Sequence, residues 1–486
     1  MSRVAIVGSG IGGLTAALLL SQRGQEVTVY ERASQVGGRV AFEEKGPYRI
    51  DQGPTIVLLP EMLLGILEEG GLAPDSLELL RCDPLYRVHF KSGRTLTKVN
   101  GTEAQAAEIE RCFPGEGQGF TRFMKEMSGL YPLGKASFLE RGFKTRREFF
   151  SPGNLRLMAR LRAYKNLRAA VGQYFRSDEL KDAFSLQSLY IGGAPFRTPG
   201  LYTMLPYAEH AFGVWMLKGG YGELPRMIAD ELERRGVCIY TDTEVDSLLV
   251  EAGRCHGVVV QGQKIPYDAV LYNGDFPNLP HLLPEAKRRQ SRRNFIPSSG
   301  CLLIYVGASR QWEASLTHQF FLPDSLNESL HDLFERKSIP HKPSYYVFNP
   351  VMLDATAAPE GESVLYFLVP VPAGEGIDWN TEAEPLASQV LADAEERGFP
   401  GLATHTVWRQ LRTPADAAKE GLFGGGSFGI APVLSQSGVF RPQSKPYDIE
   451  GLYAAGASVH PGGGVPIVMQ GAKLAVHELM KEMNNT

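Results

Sequence analysis

The feature that most constrains the fold of this chain is the stretch "VAIVGSGIGG" at residues 4–13. Val4–Val7 is a short apolar run, typical of a strand buried on both faces of a sheet, and Leu14–Ser21 continues as a helix. The turn between them contains G-x-G-x-x-G, whose glycines permit a tight turn, close approach of a pyrophosphate and close helix–strand packing. The glycines of the turn are Gly8, Gly10, Gly12 and Gly13. The pattern predicts a strand–turn–helix unit that binds phosphate.

A second strand extends that prediction to a whole dinucleotide. Val27–Tyr30 ends at Glu31, close to the spacing of about 20 residues at which an acid that binds the ribose is expected. Arg32 follows and is also a cofactor-binding candidate, because it could contact a 2′-phosphate. Beside an acid that points at the ribose, however, we expect Arg32 to face the opposite side of the strand.

A second glycine pair indicates which dinucleotide binds. In "QVGGRV", residues 35–40, Gly38 adds a backbone contact and Arg39 a cation for the pyrophosphate. The stretch resembles the G-G-R signature that follows the ribose acid in two-dinucleotide-binding flavoproteins, which implies FAD. A strand within residues 48–57 then closes in a turn that we expect to run under the flavin. The candidates in that turn are Gly53, Pro54 and Thr55.

The last strand carries another glycine-rich loop. Residues 452–476, "LYAAGASVHPGGGVPIVMQGAKLAV", lead from an apolar strand into an apolar helix, and its proline suits the first helical turn. If this strand joins the sheet of the first one, the positive end of the helix points at the flavin N1–C2=O edge, where negative charge develops on reduction. The alternative is a corner without a ligand. The candidates here are Gly456, Gly464, Val465, Pro466 and Met469.

The cofactor-binding segments are far apart along the chain. A length of 486 residues predicts roughly three domains of about 150 residues, or fewer with insertions. Residues 219–250 indicate a helix and then strands, one of which begins near Val245, another cofactor-binding candidate. We therefore predict an α/β fold with two interleaved parts. Residues 1–60, 215–280 and 440–486 form a Rossmann-like FAD-binding domain, and residues 61–214 and 281–439 form an α+β substrate-binding and membrane-associating domain.

Composition argues against several classes of function. A net charge of −4 does not suit a nucleic-acid partner. The five cysteines are scattered without a CxxC pair, which predicts reduced thiols in the cytoplasm, no metal and no disulfide framework. No apolar run approaches the roughly 18 residues of a membrane-spanning helix, and nothing resembles a signal peptide. We therefore expect membrane contact, if any, at the surface.

Four blocks spread over nearly the whole chain carry a family resemblance. They are "SLYIGGAPFRTPGLYTMLPYAEHAFGVWMLKGGYGELP" at 188–225, "AAPEGESVLYFLVPVP" at 357–372, "GLFGGGSFGIAP" at 421–432 and "GASVHPGGGVPIV" at 456–468. Together they resemble bacterial carotenoid desaturases of the phytoene desaturase family, and are most similar to its diapophytoene desaturase and diapolycopene oxidase branch. The resemblance implies an amine oxidase/phytoene desaturase-like fold, FAD, and desaturation of a linear thirty- or forty-carbon isoprenoid (diapophytoene or phytoene type) in carotenoid biosynthesis.

The implied chemistry requires a dry cavity. A hydrocarbon has no carbonyl or acidic proton, so desaturation must remove a hydride from an allylic C–H, and flavin can accept it. The cation left behind is vulnerable to water, which predicts an apolar tunnel. Residues that could line it, each also explained as ordinary core, are Phe184, Leu186, Leu189, Tyr190, Tyr202, Met204, Leu205, Tyr207, Phe212, Trp215, Phe320, Phe321, Tyr345, Tyr346, Phe348, Tyr366 and Phe367.

The sequence leaves the proton acceptor open. Glu209, His210 and His460 could each accept a proton, although each is also explained as a structural hydrogen-bonding group. Because a carbocation loses its proton to a very weak base, we expect the flavin itself to be the catalytic group, with Glu209 and His460 as the candidate side chains.

A basic segment suggests how an insoluble polyene substrate reaches the enzyme. Residues 144–168, "KTRREFFSPGNLRLMARLRAYKNLR", contain eight Lys or Arg and one acid among apolar side chains. This composition predicts a basic amphipathic helix that binds a membrane surface, with a solvated helix over a buried stripe as the alternative. We expect a cytoplasmic protein that associates peripherally with the inner face of the membrane, and oxygen or a quinone as electron acceptor.

Two other functions stay open at this point. One is an enzyme of the same fold that oxidises something else, such as the terminal methyl group of a carotenoid or an amine; the family blocks argue against the amine. The other is a non-catalytic isoprenoid escort that has lost flavin. The intact Gly8, Gly10, Gly13, Glu31 and Arg39 argue against an escort.

Overall fold

The computed structural model describes residues 2–290 and 293–484, over which the chain forms nineteen strands and sixteen α-helices. The strands are β1 (Arg3–Val7), β2 (Glu26–Tyr30), β3 (Phe42–Lys45), β4 (Tyr48–Asp51), β5 (Leu79–Arg81), β6 (Tyr86–His89), β7 (Thr95–Lys98), β8 (Trp215–Leu217), β9 (Cys238–Tyr240), β10 (Val245–Glu251), β11 (Arg254–Val260), β12 (Gln263–Pro266), β13 (Ala269–Tyr272), β14 (Gly300–Ala308), β15 (His318–Phe321), β16 (Tyr345–Phe348), β17 (Ser363–Val371), β18 (Thr406–Arg412) and β19 (Leu452–Ala454). The helices are α1 (Ile11–Gln22), α2 (Pro60–Glu69), α3 (Thr102–Cys112), α4 (Gly117–Gly134), α5 (Arg146–Phe149), α6 (Pro152–Arg160), α7 (Leu167–Val171), α8 (Asp178–Ala183), α9 (Met204–Phe212), α10 (Glu223–Arg234), α11 (Glu285–Gln290), α12 (Leu326–His331), α13 (Trp379–Arg397), α14 (Leu402–His405), α15 (Pro414–Lys419) and α16 (Val465–Met483).

The three segments expected to bind the dinucleotide build one parallel sheet. Its five strands stand in the order β19–β13–β1–β2–β9, and every neighbouring pair is parallel. The loops that follow β1, β2, β13 and β19 therefore meet at one edge, where ligands of such sheets bind. The predicted fold, with both ends of the chain in one Rossmann-like sheet, is confirmed.

Helices cover one face of this sheet, and a small antiparallel sheet covers the other. α1, α2, α10 and α16 share a core with it, while β10–β11–β12 closes the opposite face. Because α1 is enclosed on all sides, the run Ala16–Leu20 is fully buried. Met62, Leu63 and Ile66 of α2 belong to the same core, and so does Leu72. The first segment of the FAD-binding domain therefore extends beyond the predicted boundary at residue 60, as far as Leu72.

A seven-stranded mixed sheet forms the second layer. Its order is β18–β14–β17–β16–β15–β6–β7, and the parallel pair β15–β6 joins the two insert segments 61–214 and 281–439. Strand β14, which lies next to the edge strand β18, is buried along its whole length, because α13 packs on one face and the helical region between residues 102 and 212 packs on the other. This second face turns toward the parallel sheet.

The basic segment 144–168 is divided into α5, α6 and α7 and is not the single amphipathic helix that its composition predicts. Ser151 and Asn166 accept hydrogen bonds from backbone N–H groups in the first turns of α6 and α7. Such caps start new helices instead of extending the previous one, and Pro152 in the first turn of α6 favours the same break. In the part of the chain that the structure describes, no helix has the length and apolar character needed to cross a membrane.

His318 on β15 predicts how stability depends on pH. Burial lowers the pKa of His318 to about 3, and its Nδ1 lies 2.7 Å from the Tyr346 hydroxyl. The folded protein keeps this imidazole neutral while the unfolded chain takes up a proton below its ordinary pKa of about 6.5. The free energy of unfolding therefore falls as the pH drops below about 6.5. We expect His318→Asn, which keeps an amide near Tyr346, to make that fall shallower by about 1.4 kcal/mol per pH unit between about pH 6 and 4.

Urea unfolding at a series of pH values measures this slope in both proteins. An identical slope in His318→Asn and the unmodified chain would contradict the assignment of a neutral, buried His318.

Candidate functional site

One cavity of about 860 Å³ lies between the two sheets. Its lining includes the carboxyl ends of β1, β2 and β13, the loop after β19, and residues of the seven-stranded sheet. The cavity is therefore continuous from the edge where the glycine-rich loops meet to the aromatic insert segments. A nucleotide site and an apolar site occupy one space.

The turn between β1 and α1 has the close approaches that its glycines predict. Gly8 has a φ of +100°, and a Cβ at Gly13 would stand only 2.1 Å from the Gly8 carbonyl oxygen. Gly8, Gly10 and Gly12 line the cavity, whereas Gly13 does not. α1 begins after Gly10 without a side-chain cap, so its first backbone N–H groups are available to a phosphate.

Glu31 lies at the end of β2 and lines the same cavity. Its carboxylate accepts hydrogen bonds of 2.8 Å from the Ser9 backbone N–H and hydroxyl and of 2.9 Å from the Ala33 N–H. Arg32 also lines the cavity, so the expectation that it faces the opposite side is wrong. The strand ends at Tyr30, and the alternation of faces does not extend to Arg32.

Arg39 connects the glycine-rich segments instead of standing alone. Its Nη2 is 3.1 Å from Asp275 Oδ2, and Asp275 also accepts hydrogen bonds from the Phe423 N–H at 2.9 Å and from the Ser458 hydroxyl. Gly38 lies beside the first loop, where a Cβ would stand 3.4 Å from the Gly10 Cα. Asp275 was not predicted; its only signal is a polar run directly after the buried strand β13.

Two buried polar atoms in this region fit a bound dinucleotide. Arg39 Nε and Asn273 Oδ1 have no hydrogen-bond partner among the described residues, and both side chains line the cavity. A Cβ at Gly12 would stand 2.4 Å from Asn273 Oδ1, so only glycine leaves this wall open. Unpaired buried groups are costly, and the phosphate and sugar oxygens of a nucleotide can satisfy them.

The loop after β19 reaches the same cavity. Gly456 and Gly464 have φ of +122° and +96°, and both line the cavity together with Val465 and Pro466. α16 begins at Val465 without a side-chain cap, which leaves its positive end open to the cavity. Met469 does not line the cavity: its side chain is fully buried in the core beneath the parallel sheet. The predicted contact of Met469 with the cofactor is therefore not supported.

The remaining cofactor candidates lie on the cavity wall. Gly53, Pro54, Thr55 and Val245 all line it. The Thr55 hydroxyl is 2.7 Å from the Tyr346 hydroxyl, so the predicted turn contacts the seven-stranded sheet directly. This contact marks the place where the nucleotide end of the cavity passes into the aromatic end.

At the aromatic end, ten of the seventeen predicted tunnel residues line the cavity. Those that line the cavity are Leu186, Leu189, Tyr190, Tyr202, Met204, Leu205, Phe320, Tyr345, Tyr346 and Tyr366. Those that lie elsewhere are Phe184, Tyr207, Phe212, Trp215, Phe321, Phe348 and Phe367. Phe321 and Phe367 pack in the core with α13 on the other face of the sheet, because successive strand residues face opposite sides.

Glu209 is separated from the cavity. It is fully buried and accepts hydrogen bonds from the Tyr86 hydroxyl at 2.7 Å and from Gln187 Nε2 at 3.0 Å. Burial raises the pKa of its carboxyl group, against the opposing effect of the nearby Lys98 ammonium. Neither Glu209 nor His210 lines the cavity, so neither is placed to touch a substrate there.

His460, in contrast, lines the cavity. Its Nε2 lies 2.9 Å from the Arg141 carbonyl oxygen, which can only accept, so Nε2 carries the proton and Nδ1 keeps a free lone pair. Burial lowers the pKa of His460 to about 4, which keeps the ring neutral near pH 7. Over residues 2–290 and 293–484, no group of three His, Cys, Asp or Glu side chains could hold a metal ion.

Comparison with known proteins identifies relatives along the whole chain. The family described as "Flavin containing amine oxidoreductase" matches residues 11–480. The "4,4'-diapolycopen-4-al dehydrogenase" of Metabacillus indicus is 46% identical over 99% of this chain and 98% of its own length. The "zeta-carotene-forming phytoene desaturase" of Myxococcus xanthus is 33% identical over 98% and 94%. A "4,4'-diapophytoene desaturase (4,4'-diaponeurosporene-forming)" of Staphylococcus aureus is 30% identical over 99% of both chains.

Solved structures share the fold at low identity. An oxidoreductase from Methanosarcina mazei has a TM-score of 0.66 at 18% identity, covering 99% of this chain and 100% of that chain. Putrescine oxidase bound to putrescine has a TM-score of 0.67 at 15% identity, covering 99% of both chains. At such identities the likeness describes the fold alone.

Glu31 allows a test of the nucleotide end. We expect Glu31→Gln to weaken FAD binding about tenfold or more, because a charge-assisted hydrogen bond contributes roughly 1.5–3 kcal/mol. Titration of the apoprotein with FAD, followed by flavin fluorescence, measures the Kd. The matched control is Glu26→Gln on the same strand, because Glu26 is exposed and pairs with Arg3. Equal FAD affinity in both variants would place the ribose elsewhere.

Proposed function

Because this chain belongs to the flavin-containing amine oxidoreductases, and within them to the carotenoid desaturase branch, we propose that it desaturates a linear isoprenoid of diapophytoene or phytoene type. It is a flavin-dependent oxidoreductase whose cofactor is FAD, so the non-catalytic escort is not retained. The observation that carries the proposal is the single cavity in which the glycine-rich loops open onto an aromatic and aliphatic wall. A long hydrocarbon can lie there beside the nucleotide.

The residues present fit FAD. The loops at Gly8–Gly13 and Gly38–Arg39 would hold the pyrophosphate, Glu31 the ribose, and the start of α16 the flavin end. Bound there, FAD supplies a hydride acceptor, which is what oxidation of an allylic C–H requires. The chain's own contribution is to hold the substrate and to exclude water from the reacting carbons.

The aromatic wall suits a polyene better than a polar substrate. Tyr190, Phe320 and Tyr346 pack against one another, with ring centroids 5.8 and 5.0 Å apart, and their faces can stack along conjugated double bonds. The Tyr346 hydroxyl lies 2.7 Å from both Thr55 and His318. Its hydrogen bonds are thereby satisfied by the protein, and its ring remains as apolar surface.

Among the predicted proton acceptors, His460 is the one that lines the cavity. Its neutral ring offers a free Nδ1. An allylic cation loses a proton even to a weak base, so this nitrogen is basic enough to accept the proton. We therefore keep His460 and set aside Glu209, which does not line the cavity and whose Oε2 accepts hydrogen bonds from Tyr86 and Gln187.

A second candidate function is oxidation at the end of the polyene. The relative that is 46% identical is named for a terminal aldehyde, whereas the two desaturases are 33% and 30% identical. Oxidation of an aldehyde uses the same cofactor and the same long cavity. The two functions differ in whether the cavity must bind an oxygen atom.

Activity on defined substrates separates the two functions. The purified protein, with FAD and liposomes that contain phytoene or diapophytoene, is expected to produce polyene bands that move stepwise to longer wavelength. Liposomes with a preformed polyene aldehyde test the second function, with formation of the carboxylic acid as the readout. If the protein retains FAD and both substrates stay unchanged, the proposed function is wrong.

We also propose that the protein works at the inner face of the membrane, where oxygen or a quinone takes up the electrons. Support comes from the entrance surface, which we define as Phe150, Leu155 and Leu434 with the neighbouring cations Arg146 and Arg147. The three apolar side chains are 40%, 48% and 62% exposed, and Phe150 and Leu434 also line the cavity. Apolar anchors among cations suit an anionic lipid surface, and a lipid-soluble substrate could enter there directly.

Vesicle binding tests the entrance surface. We expect Leu434→Asp to reduce binding to vesicles of phosphatidylglycerol and phosphatidylcholine by about tenfold, because burying a leucine contributes roughly 1.5–3 kcal/mol. Co-sedimentation at low and high salt measures it. Val407→Asp is the matched control, since Val407 is 53% exposed on the edge strand β18 and does not line the cavity. Equal losses in both variants would contradict docking through the entrance surface.

A further inference from the structure

A buried cation lines the cavity near the loop that follows β19. Arg441 is 5% exposed and lines the cavity. Its Nη1 donates to the Gln436 carbonyl at 3.3 Å and its Nη2 to the Ala457 carbonyl. Within the described residues, Arg441 forms no ion pair, although the Asp275 carboxylate opposes, from a distance, the lowering of its pKa by burial, and its Nε–H has no hydrogen-bond acceptor. Burying a charge without a directly paired carboxylate is unfavourable, so a ligand atom that accepts a hydrogen bond from Arg441 would stabilise it.

A buried acceptor lies next to this cation. His460 is 4% exposed and, as its bond to Arg141 requires, carries its proton on Nε2. Its Nδ1 is buried and has no donor among the residues that the structure describes. The His460 backbone N–H donates to the Pro442 carbonyl at 2.7 Å. This hydrogen bond joins the segment that contains Arg441 to the loop that contains His460. The backbones of Arg441 and His460 therefore lie close to each other.

Two residues that line the cavity thus each have one buried unpaired atom, a donor on Arg441 and an acceptor on His460, and the pair matches a specific kind of group. An oxygen atom can accept from Arg441 Nε–H, and the hydrogen of a hydroxyl on the same carbon can be donated to His460 Nδ1. A hydrocarbon satisfies neither atom, and leaving both unpaired is costly. An amine substrate is disfavoured as well, because its ammonium would lie beside the guanidinium.

We propose that Arg441 and His460 form a polar subsite for the oxygen-bearing end of a linear polyene, such as a terminal aldehyde, its hydrate or a terminal hydroxyl group. The inference rests on the proposed function and deepens it by naming the substrate class. Arg441 polarises the oxygen through a charge-assisted hydrogen bond, and His460 accepts the hydroxyl proton when one is present. The rest of the chain lies along the aromatic wall.

Absorption spectroscopy with two matched probes tests the subsite. The probes are a linear thirty-carbon polyene with a terminal aldehyde and the same polyene without oxygen, each added in detergent micelles to the FAD-loaded protein. A cationic donor draws electron density onto the carbonyl oxygen, so the aldehyde's absorption band moves to longer wavelength on binding. We expect that shift for the aldehyde alone, and an affinity for it at least about tenfold above that for the hydrocarbon.

Two substitutions remove the pair in different ways. Arg441→Met removes the cation and keeps a long side chain, and we expect it to abolish the spectral shift and lower aldehyde affinity about tenfold without changing hydrocarbon affinity. His460→Gln keeps a donor to Arg141 and removes the ring acceptor, and we expect a smaller loss that is confined to the hydrated or hydroxylated probe.

Arg293→Met is the matched control. Arg293 donates to the Ser435 and Phe440 carbonyls at 2.8 and 2.7 Å, so it supports the same segment as Arg441 but does not line the cavity. We expect it to leave the aldehyde shift intact. If Arg293→Met and Arg441→Met have the same effect, Arg441 has a structural role and the subsite is wrong.

Three further outcomes separate this inference from the proposed function. If the unmodified protein binds FAD and both polyenes equally, the subsite is wrong and the desaturase proposal stands. If Arg441→Met changes FAD affinity and leaves the aldehyde shift unchanged, the cation serves the cofactor and the subsite is wrong. If the protein binds FAD but neither polyene, both proposals are wrong.

Discussion

The organisation of this molecule depends on parallel pairing among strands that are far apart along the chain. β1 pairs with β13 and β13 with β19, in a register that sets Val7 opposite Tyr272 and Tyr272 opposite Ala454. The carboxyl ends of the three strands therefore coincide, and three separate loops meet at one edge. Arg39, Asp275 and Ser458, one from each segment, then connect these loops through hydrogen bonds and an ion pair. Without that pairing the glycine-rich stretches would be unrelated turns.

The same pairing brings the second layer into place. Between its visits to the parallel sheet, the chain forms the two insert segments 61–214 and 281–439. These segments join in the seven-stranded sheet, where β15 pairs with β6. Thr55, at the end of the first nucleotide segment, contacts Tyr346 in the centre of that sheet. The glycine-rich loops and the aromatic wall thus line one continuous cavity.

Polar groups inside the apolar region fall into two classes. The cluster around Glu209 lies behind the cavity wall: Tyr86 and Gln187 both donate to Oε2, and Oε1 is buried without a partner among the described residues. Arg441 and His460 each have a buried unpaired atom as well, but these two residues line the cavity. Residue type alone does not separate these classes, because a buried acid and a buried histidine look equally catalytic in a sequence. Position relative to the cavity separates them.

The sequence alone determined the features that arise from local geometry. The strand, the glycine turn, the helix and Glu31 lie within about 30 consecutive residues, so their relation follows from the steric freedom of glycine and the lengths of the elements. The loop before α16 was predictable for the same reason, because its glycines and Pro466 act through local backbone geometry. Tertiary structure decided which side chains share a space: Asp275 and Asn273 enter the site, Met469 and Glu209 leave it, and Phe321 and Phe367 turn to the far face of their sheet. Those outcomes depend on strand register and on contacts between distant segments, and a linear pattern contains neither.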